Sequence, residues 1–268
     1  MHDFASRQHG HRAAMENQDV TFVTLGSLRV WNGGRDCTPK TPKVLQVLAL
    51  LLMRANRAVQ TESLINELWG DEPPRSALTT IQTYVYQLRR LIEREGLGDG
   101  ADGNMLITQS PGYILRLRPG QVDLDSFAEL RRTGRAHFMQ GNFAEASANL
   151  RAALALWTEN ALANVKLGPQ LTAHVVDLQE QRRTALQMAI EAELELGMHR
   201  ELVGELRSTV AQYPLDEWFH QRLMQVLDRC GRRSDALGVY HHLRRTLGDE
   251  LGIDPSPEIQ ELHRQLLE

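Results

Sequence analysis

The hydrophobic rhythm of the chain changes character twice. Val20-Thr-Phe-Val-Thr-Leu25 and Leu28-Arg-Val-Trp31 alternate or cluster β-forming side chains, with Gly26-Ser27 and Asn32-Gly33-Gly34 as turns. That pattern predicts a small antiparallel sheet. Thr41-Pro42 then opens a helix that runs to about residue 55, with threonine as N-cap and proline at the first helical position. It is apolar on most sides and therefore central. Thr61 caps a second helix to Trp69, which Gly70-Asp-Glu-Pro-Pro74 ends sharply. A third helix covers residues 76–94. At about 100° per residue, Leu78, Ile81, Val85, Leu88 and Ile92 fall on one side and must pack inward. Residues 105–118 then read as two strands around Ser110-Pro-Gly112, with Tyr113, Leu115 and Leu117 on one face and Arg116 and Arg118 on the other.

The second change comes at Pro119-Gly120. Asp123 starts a run that stays helical to the end, and Ser126 with Glu129 has the capping-box spacing. A period appears within it. Gly197 and Gly231 lie 34 residues apart, the length of a tetratricopeptide repeat. Counting from Gly141, Gly197 and Gly231, the fourth residue on is acidic (Glu145, Glu201, Asp235). The fifth is Ala146, Leu202 or Ala236, and the ninth is Leu150, Leu206 or Tyr240. The seventeenth, Thr158, Pro214 or Gly248, is where each helix should stop. The first interval is 56 residues, so an insertion is expected, and residues 160–174 with Gly168-Pro169 inside are its natural place. Residues 123–268 thus read as a tetratricopeptide-like array of stacked helix pairs, closed by Ser256-Pro257-Glu258 opening a last helix. The predicted fold class is an α+β winged helix-turn-helix over residues 20–118, followed by an all-α array over 123–268, with residues 1–19 as a disordered arm that includes His2, His9 and His11.

Charge adds a division of labour. The net charge is −4, but residues 1–120 hold 14 Lys+Arg against 12 Asp+Glu, a net of +2, and the remainder holds 16 against 22, a net of −6. Halves of opposite sign suit different partners. Within 75–94 there are four arginines and one acid, Glu93. The side of the third helix opposite its apolar stripe gathers Thr79, Thr80, Thr83, Gln87, Arg90 and Arg94, with Tyr86 at its flank. An ordinary solvated helix would carry Glu, Lys or Ala in place of three threonines. Hydroxyls bond phosphate oxygens or meet a thymine methyl, the Gln87 amide suits adenine, and arginines suit phosphate or guanine. Thr108 and Gln109, with Tyr113, flank the hairpin tip as a backbone clamp. A cationic helix beside a small hairpin is how a winged helix reads a duplex.

Other chemistries find no foothold in the sequence. Cys37 and Cys230 form no C-x-x-C pair, so neither a zinc site nor a disulfide framework is indicated. There is no Walker A, G-x-G-x-x-G, H-E-x-x-H or G-x-S-x-G pattern, so no enzyme and no cofactor are expected. The first 19 residues have no apolar core and no run approaches membrane-spanning length, which predicts a cytoplasmic, nucleoid-associated protein with no membrane partner.

The order of elements resembles a family. Thr80-Ile-Gln-Thr-Tyr-Val-Tyr-Gln-Leu-Arg-Arg90 is similar to the OmpR-type recognition helix Thr-Val-x-x-x-[IV]-x-x-L-R-[RK], and Ser110-Pro-Gly-Tyr113 to its Gly-x-Gly-Tyr wing turn. Gly141-Asn-Phe-Ala-Glu-Ala146, Leu154-Ala-Leu-Trp157, Leu196-Gly-Met-His-Arg-Glu-Leu-Val203 and Glu250-Leu-Gly-Ile-Asp-Pro-Ser-Pro257 resemble the bacterial transcriptional activator domain. Together they resemble a SARP-type regulator, one of the actinomycete antibiotic regulatory proteins. The resemblance implies an activator of a secondary-metabolite gene cluster. It would bind tandem direct repeats in double-stranded DNA as self-associated protomers and recruit RNA polymerase holoenzyme near the −35 region. Carried over by motif, the DNA contacts fall on Thr80, Tyr84, Gln87, Arg89 and Arg90 in the helix, and on Thr108, Gln109 and Tyr113 in the wing, where Gly112 and Arg116 are expected contacts beside them. No receiver domain precedes the winged helix and no ATPase module follows, so the small, stand-alone form is expected. The rival reading is a tetratricopeptide-type interaction or ligand-sensing protein whose winged helix is a docking module.

Overall fold

The computed structural model describes residues 20–98 and 105–268; the expected arm at 1–19 lies outside the described residues. Strands β1 (Thr21–Val23), β2 (Arg29–Asn32) and β3 (Arg35–Asp36) form the expected leading sheet, antiparallel in that order, with Phe22 opposite Val30. Helix α1 (Pro42–Met53) begins on its proline, but the Thr41 side chain makes no cap hydrogen bond. Every residue from Val44 to Leu52 is buried, Gln46 included, so α1 is the central rod that the apolar run predicts.

Helix α2 is Thr61–Trp69, preceded by a two-residue strand β4 (Val59–Gln60). Thr61 is therefore its first residue and not its cap. Its amide and hydroxyl both donate to the Pro111 carbonyl, at 3.1 and 2.9 Å, tying the start of α2 to the hairpin turn. Helix α3 is Ala77–Glu95 and ends on Gly96 in the left-handed region. The hairpin strands β5 (Leu106–Gln109) and β6 (Gly112–Leu115) take β4 as a third member, in the order β4-β6-β5. A Cβ at position 112 would sit 1.9 Å from the Val59 carbonyl oxygen, so this pairing requires glycine there. Two residues are too few to show a period, which is why β4 leaves no signature in the sequence.

Seven helices complete the described chain: α4 (Asp123–Met139), α5 (Phe143–Ala155), α6 (Pro169–Glu195), α7 (His199–Gln212), α8 (Glu217–Arg229), α9 (Arg233–Leu251) and α10 (Pro257–Leu267). Because α4 starts at Asp123, the Ser126 and Glu129 pair lies inside it and is no capping box; Glu129 pairs with Arg132 instead, at 2.7 Å. The described chain forms two compact units. One runs through Thr133 and also takes in Asn149–Ala185; the other comprises Gly134–Ala148 and Leu186–Glu268. The change of rhythm at Pro119-Gly120 is therefore not the seam between compact units.

In the first unit two buried carboxylates bind the winged helix to segments C-terminal to it. Asp123 accepts the Thr24 and Leu25 amides at 2.7 and 2.8 Å and the Thr24 hydroxyl at 2.6 Å. Glu67, 2% exposed, accepts the amides of Gly168, Gln170 and Leu171 at 2.6, 2.9 and 3.0 Å. Those amides lie at the start of α6, where a helix has donors without intrahelical acceptors and a partial positive charge. Between α5 and α6 the chain lies against β1 and β2: Asn164 brackets Leu28, accepting its amide at 2.6 Å and donating to its carbonyl at 3.1 Å. The expected insertion is thus a connector fused to the winged helix, and its last residues, from Pro169, belong to the long helix α6.

The three glycines of the repeat fall in the second unit, while Leu150 and Thr158 of its first period belong to the first. Gly141, Gly197 and Gly231 have φ of 75°, 79° and 73°, and the residue after each donates to the carbonyl five residues back: Asn142 to His137, Met198 to Glu193, Arg232 to Leu227. That is one helix-ending motif used three times. The acids Glu145, Glu201 and Asp235 lie in the first turns of α5, α7 and α9, where the helix dipole favours them. The fifth and ninth positions of each period are all buried, from Ala146 at 0% to Tyr240 at 7%. The stop signal fails in one place: α9 continues through Gly248 and ends at Gly252 in the left-handed region.

His220 on α8 is fully buried, with Nδ1 3.0 Å from the Asp216 carbonyl oxygen. Burial holds its pKa below the ordinary histidine value. The unfolded state then binds more protons than the folded one as pH falls through the histidine range. Its contribution is complete above about pH 6.5 and is lost on acidification through the lower, folded-state pKa. Thermal unfolding of the chain is expected to shift downward below that pH, and His220→Leu to flatten the shift. An unchanged profile in that variant would remove His220 as its origin.

Candidate nucleic-acid interface

Helix α3 buries Ala77, Ile81, Val85, Leu88 and Ile92. Four of these are the expected stripe. Leu78 is a correction: it is 54% exposed, and Ala77 takes the inward position. Both residues flank the centre of the apolar arc, so the wheel alone does not choose between them; the elements packed on the first turn do.

The outward face is made of two columns with a spacing of four. Leu78, Gln82, Tyr86, Arg90 and Arg94 form one, and Thr79, Thr83 and Gln87 the other, with Arg75 just before the helix; all are exposed. Tyr86 is 61% exposed. Thr83 donates its hydroxyl to the Thr79 carbonyl and the half-buried Thr80 to that of Ser76, each at 2.9 Å. Both oxygens keep acceptor lone pairs in that geometry. Arg90 has only a loose exposed pair with Glu93, at 3.8 Å, of the kind that contributes little. Arg94 is held more firmly, its Nε 2.7 Å from Glu95, which also pairs with Arg35. Glu95 lies one residue beyond the arginine-rich window of the sequence.

Other expected contact residues have structural work. Arg89 donates from Nε to the Leu106 carbonyl at 3.0 Å and from Nη2 to the Thr108 hydroxyl at 2.7 Å. It is a strut between helix and wing that also engages Thr108. Tyr84 is half-buried and packs against the core of the first unit. Gly112 is buried against β4, and Tyr113 is 8% exposed, paired with Val59 on one side and Thr108 on the other. The Tyr113 ring lies in the core of the first unit and does not flank an open tip. Gln109 and Arg116 are exposed on the wing, as expected. Gln82, Arg75 and Leu78 belong to the face without being among the expected contacts, and the spacing of Leu78, Gln82, Tyr86 and Arg90 was the available signal.

Among the described residues there is no cluster of metal-ligating side chains, and no helix is long and apolar enough to cross a membrane.

The chain matches two family models: transcriptional regulatory protein, C terminal, over residues 35–115, and bacterial transcriptional activator domain over residues 122–267. It is 38% identical to the regulatory protein DnrI of Streptomyces peucetius over 91% of this chain and 90% of that protein. It is 36% identical to the regulatory protein AfsR of Streptomyces coelicolor over 94% of this chain, which spans only 25% of that longer protein. The solved structure of Mycobacterium tuberculosis EmbR, in complex with a low-affinity phosphopeptide, superposes with a TM-score of 0.84 at 32% identity, covering 94% of this chain and 65% of that one. With an OmpR-type winged helix, a tetratricopeptide-like activator domain and relatives of this closeness, the chain belongs to the SARP family of transcriptional activators.

Proposed function

We propose that this protein activates transcription of a secondary-metabolite biosynthetic gene cluster from the bacterial nucleoid. It binds tandem direct repeats in duplex DNA near the −35 element and recruits RNA polymerase holoenzyme. The observation that carries the reading is the outward face of α3: methyl, hydroxyl and amide groups in its first half and arginines in its second, with Glu93 as the acid beside them. Such a face meets base edges with its N-terminal half and phosphates with its C-terminal half. Repeats about one helical turn apart would place two protomers on one side of the duplex. The exposed Gln109 and Arg116 of the wing suit the adjacent backbone.

The test is a titration of the full chain against promoter fragments from its own gene neighbourhood at two salt concentrations. A fragment with direct repeats should be retarded, and log affinity should fall steeply and linearly with log salt, because each neutralised phosphate releases counterions. Transcription from that fragment by purified holoenzyme should rise on adding the protein. No binding to any fragment would remove the DNA reading and leave the repeat helices as an interaction module.

A further inference from the structure

Single exposed leucines are common on protein surfaces, so the exposure of Leu78 means little by itself. Its place on the molecule gives it meaning. It lies in the first turn of α3 and heads the column Leu78, Gln82, Tyr86, Arg90, Arg94. The methyl-bearing Thr79 is next to it, and Thr83 is one turn further on. That first turn contains no acid. Within α3 the exposed face is therefore graded along the helix axis, with apolar methyls at its N-terminal end and guanidinium groups at its C-terminal end; Arg75 stands outside it, just before the first turn.

The N-terminal residues of a recognition helix are the ones that reach base edges. The one apolar group that a base pair shows in the major groove is the C5-methyl of thymine. We propose that Leu78 is a specificity-determining residue that packs its isobutyl group on the C5-methyl of one thymine in each half-site. This rests on the DNA-binding reading of α3 and adds a base preference to it. Arg90 and Arg94, placed for phosphates, cannot supply that preference. Leucine offers no hydrogen bond, so it selects by shape and dryness. A cytosine at the same place offers a bare C5 beside an amino group that would lose its water without gaining a partner.

The experiment starts from duplexes enriched by the full chain from a random-sequence pool. Each thymine of the bound site is replaced singly by deoxyuridine, which deletes the methyl and leaves every hydrogen-bonding group in place. At one thymine per half-site the natural chain should lose about fourfold in affinity, the worth of one buried methyl-sized group. Leu78→Ala should bind the thymine duplex about that much more weakly and show no further loss with deoxyuridine. Leu78→Met, similar in volume, should keep the sensitivity. Alanine at an exposed helical position preserves the helix, and matching circular dichroism and melting curves would establish this. If Leu78→Ala retains the full deoxyuridine effect, another side chain reads the methyl and the proposal is overturned. It is equally overturned if no thymine replacement weakens the natural chain. Failure of the pool to yield any bound duplex, before any substitution is made, would instead sink the DNA reading of α3, and the Leu78 proposal with it.

Discussion

Replacing Glu67 with alanine should destabilise the first compact unit by about 3–5 kcal/mol, roughly the cost of breaking a buried charged network. One carboxylate oxygen accepts the Gly168 amide at 2.6 Å and Gln46 Nε2 at 3.2 Å; the other accepts the Gln170 and Leu171 amides at 2.9 and 3.0 Å. Alanine would leave the start of α6 with donors that have no acceptor inside the helix, and would remove the negative charge that faces its dipole. Glu67→Gln should recover only part of the loss, because its amide NH2 must face donors on one side. Urea unfolding of the full chain, monitored by tryptophan fluorescence, measures the difference. A change below about 1 kcal/mol, the net worth of an ordinary hydrogen bond, would show that water replaces the carboxylate and that the cap is dispensable. Because α3 packs on α2, DNA affinity should fall along with stability in these variants.

The second large effect belongs to the arginines of α3. Removing Arg90 and Arg94 together should weaken operator binding about 10–100-fold at low salt and reduce the log–log salt slope by about 2, one per lost phosphate contact. Arg90→Ala alone should cost more than Arg94→Ala. Arg90 is restrained only by a pair at 3.8 Å, whereas Arg94 sits 2.7 Å from Glu95 and is partly neutralised before DNA arrives. Both residues are exposed, so melting temperature should not change. A double variant with an unaltered slope would take these two side chains off the phosphate backbone.

The parts of the fold that were legible in the sequence are those where one residue's surroundings repeat at a fixed interval. The apolar rod of α1, the stripe Ile81, Val85, Leu88 and Ile92, and the three glycine turns at Gly141, Gly197 and Gly231 arise from helical period and from left-handed backbone. The polar half of α3 was legible for the same reason: a surface poor in acids and rich in threonine is a local property of composition. The family signatures of the recognition helix and the wing turn were legible too, yet they took in Tyr84 on the helix and Gly112 and Tyr113 in the wing, which are buried or half-buried.

By itself, then, the sequence determined the three helices of the winged segment, the inward stripe Ile81, Val85, Leu88 and Ile92, the helical character and glycine period of the chain after Asp123, and that a cationic, hydroxyl-rich face is left outward. These are matters of period and propensity within a dozen residues. Only the tertiary structure decided that Ala77 and not Leu78 enters the core, that Arg89 braces the wing, and that β4 completes the hairpin sheet. It also decided that Asp123 and Glu67 fuse the winged helix to the connector and to α6. Each of those depends on a partner 17 to 104 residues away or on which neighbour covers a helix end. A hydrogen bond or a packing contact made across such a separation leaves no periodic trace in the chain, because either partner taken alone is an ordinary polar or apolar residue.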